Sequence, residues 1–128
     1  MNILDENILS WQGDRLSLMK IRSRQIGVGL GRKGMDDRQQ IIPLLHSLRR
    51  PTFFTRDHDF YQPDLPHAGY CLVCLDLPPN EVAEYIRRFL RHPSFRTQAQ
   101  RMGKVVRVRH GGLSWWEVSA KTERAASW

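Results

Sequence analysis

Apolar positions along the chain follow two periods. Val82, Tyr85, Ile86, Phe89 and Leu90 fall at i, i+3, i+4, i+7 and i+8, which predicts an amphipathic helix. Glu81, Glu84, Arg87, Arg88 and Arg91 occupy its outer face, Asn80 is the expected N-cap, and Pro93 closes it. Tyr70 to Leu77 is a nearly continuous apolar run, the pattern of a strand covered on both faces. Pro51-Thr52-Phe53-Phe54 reads as a second buried strand, continuing to Thr55; Asn2-Ile3-Leu4 is too short to show a period, but its abrupt end in Asp5-Glu6-Asn7 fits a short first strand. Ile8, Leu9, Trp11, Leu16, Met19 and Ile21 make an apolar stripe interrupted at Gly13-Asp14, so one broken helix or two short ones follow the first strand. Ile26, Val28 and Leu30 alternate through glycines, as a weak strand leading into a basic, glycine-rich loop would.

Residues 38–49 carry Ile41, Leu45 and Leu48 at helical spacing, with Asp36 or Asp37 as N-cap. Pro43 implies a kink there or a later start. A short helix is expected between Phe95 and Met102. Lys104 to His110 and Leu113 to Val118 read as a hairpin turning at Gly111-Gly112. The segment from Ser119 to Trp128 is small and polar, a loosely held tail. This order predicts an α/β three-layer sandwich with a mainly parallel central sheet and a C-terminal β-hairpin. One domain spans residues 1–118, and the tail spans residues 119–128.

Composition narrows the partners. With 128 residues, 41% hydrophobic and 26% charged, the chain has the makeup of a globular domain able to bury a core. No run approaches the ~18 apolar residues of a bilayer span, and the first residues lack a signal-peptide pattern, so a cytoplasmic location is expected. The net charge is +7, with 10 basic and 8 acidic side chains in residues 1–64 and 10 and 5 in residues 65–128. That balance leans toward a polyanion. Cys71 and Cys74 form a C-x-x-C in a strand; three residues apart, they face opposite sides, and buried reduced thiols are expected.

The candidate chemistry centres on Thr55-Arg56-Asp57-His58-Asp59-Phe60, where a buried strand ends in aspartates. In an extended segment Asp57 and Asp59 share one side, and two facing carboxylates repel unless a proton or cation lies between them. Asp5 and Glu6 end the first strand, and Asp36 and Asp37 open a helix, so acids from three places can converge on one edge. Hard oxygen donors of this kind suit Mg²⁺ or Mn²⁺. His58 points away from the aspartates in that extended segment and reads as a surface or packing residue. Gly29, Gly31 and Gly34 satisfy G-x-G-x-x-G formally, but with Arg32 and Lys33 in the x-x positions they suit a basic loop touching phosphates better than a dinucleotide turn.

Leu4-Asp5-Glu6-Asn7, the helix-opening Asp36/Asp37 and Thr55-Arg56-Asp57-His58-Asp59-Phe60 together resemble the PIN-like (PilT N-terminus-like) nucleases, particularly their small stand-alone members. The resemblance covers about residues 1–92. It implies a parallel sheet, an acidic site binding Mg²⁺ or Mn²⁺, and endoribonuclease activity, with many similar proteins acting as toxins beside an antitoxin. Carried onto this chain, Asp5, Asp37, Asp57 and Asp59 match the acidic positions, with Glu6 and Asp36 as neighbours. Larger members supply one acid as Glu from a mid-chain helix, where this chain offers Asp. Family likeness also implies self-association into a homodimer.

Asp5 and Asp57 are the expected direct ligands, with Asp37 and Asp59 direct or acting through water. Arg32, Lys33, Arg38 and Arg56 are the expected contacts to the RNA backbone. A PIN-like domain that binds RNA or a protein without cutting is the alternative. A signal-receiving α/β domain is a weaker rival, because the strand ending in Asp76 lacks the lysine such a domain wants.

Overall fold

The computed structural model describes every residue except Asp36, and at positions 37 and 38 it describes the backbone alone. Among the described residues, five strands paired in parallel and two more added by antiparallel pairing form a single seven-stranded sheet. They are β1 (Asn2–Leu4), β2 (Arg24–Gln25), β3 (Thr52–Thr55), β4 (Cys71–Leu75), β5 (Lys104–Arg109), β6 (Gly112–Glu117) and β7 (Arg124–Ala126), in the spatial order β2-β1-β3-β4-β5-β6-β7. The chain leaves β1 toward β2 on one side and returns to β3 on the other. The parallel strand order therefore reverses direction between β1 and β3, where Ile3 lies opposite Phe53. Among the described residues four α-helices accompany the sheet: α1 (Ser10–Leu18), α2 (Ile42–His46), α3 (Val82–Arg91) and α4 (Gln98–Arg101). The fold class is α/β with a mostly parallel, mixed sheet.

Alternation along the strands divides the core between the two faces. Leu4, Phe54, Cys71, Val73 and Val106 face Leu16 of α1 and Val82, Ile86 and Phe89 of α3. Ile3, Phe53, Leu72, Cys74 and Val105 face Ile41, Leu45, Phe60 and Tyr70. The two cysteines thus lie in opposite layers, both free and fully buried. Burial pushes the Cys71 thiol up to about 12 and that of Cys74 higher still, so neither is a nucleophile. The stripe predicted for α3 is the face it buries.

Elsewhere the structure departs from the pattern. The weak strand expected over Ile26–Leu30 is replaced by β2 at Arg24–Gln25, because Gly27, Gly29, Gly31 and Gly34 all take positive φ and curl the chain into turns. Around Pro43 the helix divides into a π-helical turn (Asp37–Ile41) and α2, with Pro43 near the start of α2 where no amide is needed. Asn80 is not the side-chain cap of α3. Instead the fully buried Gln12 of α1 accepts a bond from the Ala83 amide at 2.7 Å and donates to the Asn80 carbonyl at 3.1 Å. That amide is one of the donors a helix start leaves open, so α1 caps α3 across the layer.

The expected loose tail is corrected. Residues 124–126 form β7 along β6, and Trp128 donates to the Arg109 carbonyl at 2.7 Å and packs on Tyr85. The hairpin turn is also one residue earlier than expected, at His110-Gly111, with Gly112 paired to Arg109. Trp115 faces the core beside Phe95, whereas Trp116 lies on the other side of the sheet. Among the described residues no helix is long and apolar enough to cross a membrane.

Gly112 marks how closely β7 approaches: a Cβ there would lie 2.6 Å from the Ala126 carbonyl oxygen. Gly112→Ala is expected to cost about 1–3 kcal/mol by overpacking and to release β7. Limited trypsin digestion should then cut the variant at Lys121 and Arg124 well before the parent chain.

Candidate functional site

The carboxyl ends of β1 and β3 lie side by side where the strand order reverses, the place where open α/β sheets leave a crevice for ligands. Asp5, directly after β1, keeps the pairing going by donating its amide to the Phe54 carbonyl at 2.9 Å. Its side chain is 7% exposed, unusual for an acid. One carboxylate oxygen accepts the Glu6 amide at 2.8 Å, and the other accepts the Thr55 hydroxyl at 2.7 Å. Thr55, fully buried, in turn accepts the Asp57 amide at 3.0 Å and the Asn7 side-chain amide at 3.2 Å. Asn7 closes the ring by accepting the Arg56 amide at 3.2 Å. The segments after the two strands are therefore stitched together through polar side chains.

Electrostatics sets Asp5 apart. Burial is the main force raising its carboxyl above the ordinary aspartate range, and the nearby charges of Glu6 and Asp57 push the same way. The bonds from Thr55 and the Glu6 amide act in the opposite direction. Of the acids expected at the site, Asp5 and Asp57 are near enough to interact, and Glu6 adds its charge from beside Asp5.

Asp59 departs from expectation. The chain does not stay extended after β3: His58–Phe60 form a 3₁₀ turn, and the Asp57 carboxylate caps it by accepting the Asp59 amide at 2.9 Å. Asp59 itself is exposed, so Asp57 and Asp59 do not face one pocket as paired carboxylates. The cause is Phe60, which is fully buried against Phe53 with ring centroids 5.4 Å apart and pulls the chain inward. His58 is exposed, as expected, yet its Nε2 lies 3.7 Å from Asp76, whose other oxygen accepts from Arg107 at 2.7 Å. That guanidinium bond is the chief cause holding the Asp76 carboxyl below its usual range.

Glu6 is exposed and accepts the Gly34 amide at 2.7 Å, fastening the glycine loop to the end of β1. Arg32 and Lys33 are exposed on that loop. Arg56 is half-buried and donates to the Leu77 carbonyl at 3.5 Å. Asp36, with the side chains of Asp37 and Arg38, lies outside the described residues. Sequence reasoning gives no role to Thr55, Asn7 and Arg107, and weighs Asp76 only as the strand-end acid of a signal-receiving domain. Thr55 and Asn7 stand inside the quoted motifs, but which strands are neighbours is not written locally.

Among the described residues no group of three or more His, Cys, Asp or Glu side chains is arranged to hold a metal ion. The donor set still fits Mg²⁺ or Mn²⁺ in kind, since such ions are commonly held by one or two carboxylates with waters and substrate phosphate. The internal bonds leave each Asp5 oxygen a further lone pair. Comparison with protein-family models, with curated proteins and with solved structures finds no match.

Two substitutions probe this arrangement. Thr55→Val keeps the shape but strands a buried carboxylate oxygen, and is expected to cost about 2 kcal/mol in urea denaturation. Asp5→Asn should act in the other direction. Because the folded state raises the Asp5 carboxyl, its ionised form opposes folding. That cost is absent below the unfolded value of about 4 and complete once pH exceeds the folded one. The variant should therefore unfold at a higher temperature than the parent at neutral pH, with the gain shrinking as pH falls toward about 4.

Proposed function

We propose that the chain is a metal-dependent endoribonuclease of the PIN-like type, hydrolysing RNA phosphodiester bonds at the ends of β1 and β3. The observation that carries this is the buried Asp5 carboxyl at the strand-order reversal, raised by burial and facing the like charges of Glu6 and Asp57. An arrangement that opposes its own ionisation is stabilised by a cation, and perturbed acids of this kind mark functional sites.

Asp5 and Asp57 would hold Mg²⁺ or Mn²⁺, and a further ligand role for Asp37 rests on the sequence resemblance alone. When bound, the ion supplies a water of lowered pKa and neutralises charge on the leaving oxygen. Thr55 fixes the orientation of the Asp5 carboxylate, and Asn7 fixes the backbone at Arg56. Arg56, Arg32 and Lys33 would bind the phosphate backbone, and Glu6 positions the loop that carries the latter two. A role as the toxin of a toxin–antitoxin pair rests on the sequence resemblance alone.

A second reading, RNA binding without cleavage, is favoured by one observation. Asp5, Glu6 and Asp57 each already accept an internal hydrogen bond. Incubation of labelled single-stranded RNA with Mg²⁺, Mn²⁺ or EDTA separates the two. Metal-dependent cleavage lost in EDTA and reduced at least about a hundredfold in Asp57→Asn is the expected outcome. Activity that survives both EDTA and the substitution would sink the proposal, and RNA binding without cleavage in either metal would favour the second reading.

A further inference from the structure

The crevice outside the ends of β1 and β2 contains a cavity of about 330 Å³. Its floor is apolar, formed by the buried Ile8 and Ile26. Leu9 and Val28 stand at its sides, 41% and 69% exposed. Glu6 and Lys33 also line it. Glu6 therefore belongs both to this cavity and to the acidic group around Asp5.

We propose that this cavity is a nucleobase subsite for single-stranded RNA, with the backbone of that RNA held by the cations beside it, Lys33 and Arg32. The inference rests on the RNA reading of the site for its substrate class, but not on cleavage. A base offers flat apolar faces and a polar edge. The aliphatic floor and sides match the faces, and the Glu6 oxygen not bonded to Gly34 can accept from the edge. The strand leaving such a base carries negative charge, and Lys33 at the cavity and Arg32 beside it are exposed cations.

Leu9 adds an independent argument. It occupies the N-cap position of α1 and gives the helix no side-chain cap, in a place where Ser, Thr, Asp or Asn would stabilise it. A local rule is broken in favour of an exposed apolar side chain beside the cavity, a pattern expected at functional sites.

The test uses the full chain in EDTA, so that neither metal nor cleavage enters. A short single-stranded RNA and an abasic ribose-phosphate oligomer of the same length are titrated while backbone amide NMR shifts are followed. RNA is expected to shift the Leu9, Val28 and Lys33 amides. The abasic oligomer, lacking the apolar area a base would bury, should bind about tenfold or more weakly and leave Leu9 and Val28 unmoved. Leu9→Asn should keep or raise thermal stability while weakening RNA binding by a similar factor, and Val28→Asn should weaken binding with stability unchanged. Equal affinity for the abasic oligomer, RNA that leaves the Leu9 and Val28 amides unmoved, or parental binding by both variants would overturn the subsite. RNA that shifts these amides yet is never cut in Mg²⁺ or Mn²⁺ supports the subsite while the nuclease reading fails. Metal-dependent cleavage by a chain whose Leu9 and Val28 amides ignore RNA does the reverse.

Discussion

The 2.7 Å bond from the Thr55 hydroxyl to the Asp5 carboxylate joins the ends of β1 and β3 at the place where the sheet changes direction. The polar network around Asp5 lies within a few residues of it. Backbone pairing carries the two strands as far as Leu4 and Phe54, and the Asp5 amide extends it by one step. Beyond that point the chains must part, α1 to one side and the 3₁₀ turn to the other, and the backbone can no longer satisfy itself. The side chains of Asp5, Asn7 and Thr55 take over that task. Buried polar groups are tolerable only when satisfied, and a network of this kind gains rigidity from its burial.

The same geometry explains why the site is costly to its own fold. A carboxylate that only needed to cap a turn would be better placed in water, where ionisation is free. Asp5 instead sits beneath Thr55 and beside two other acids, and its ionised form is disfavoured by burial first and by like charge second. Leu9 shows a similar conflict on the adjoining edge, where the helix start lacks a side-chain cap. Stability given up at two neighbouring positions on one edge is easier to explain by a ligand than by packing.

The fold was legible wherever burial imposed a period. The strands at Thr52–Thr55 and 71–75 follow from apolar runs and the face of α3 from a stripe, whereas Asn2–Leu4, too short to show a period, is read from the acids that end it. β2 was misplaced because a two-residue strand has almost no hydrophobic signature and is defined by its partner, β1. β7 was missed for a related reason. Arg124-Ala125-Ala126 carries little apolar area, and what holds it is the backbone ladder to β6 together with Trp128, an aromatic that stood in plain view at the end of the segment. Of the acidic site, Asp5 and Asp57 were visible as residues at strand ends. Thr55 and Asn7 were not assigned roles, because their partnership depends on β1 and β3 being neighbours, a property of the whole sheet.

The fate of Asp57 and Asp59 shows how a local spacing rule yields to packing. Two residues apart, they face one side only while the chain remains extended. Phe60 is apolar and large, and the layer against Phe53 can bury it only if the chain turns directly after β3. That turn needs a cap for its first free amide, and Asp57 supplies it. The consequence is a division of labour within one short motif. The carboxylate that caps the turn stays close to Asp5, while the next one is carried out to solvent. A cation held between strands, by Asp5 from β1 and Asp57 from the segment after β3, would be sensitive to the alignment of the two strand ends. The Thr55 hydroxyl maintains that alignment, so the hydrogen bond that resolves the end of the sheet would also set the distance between the two carboxylates.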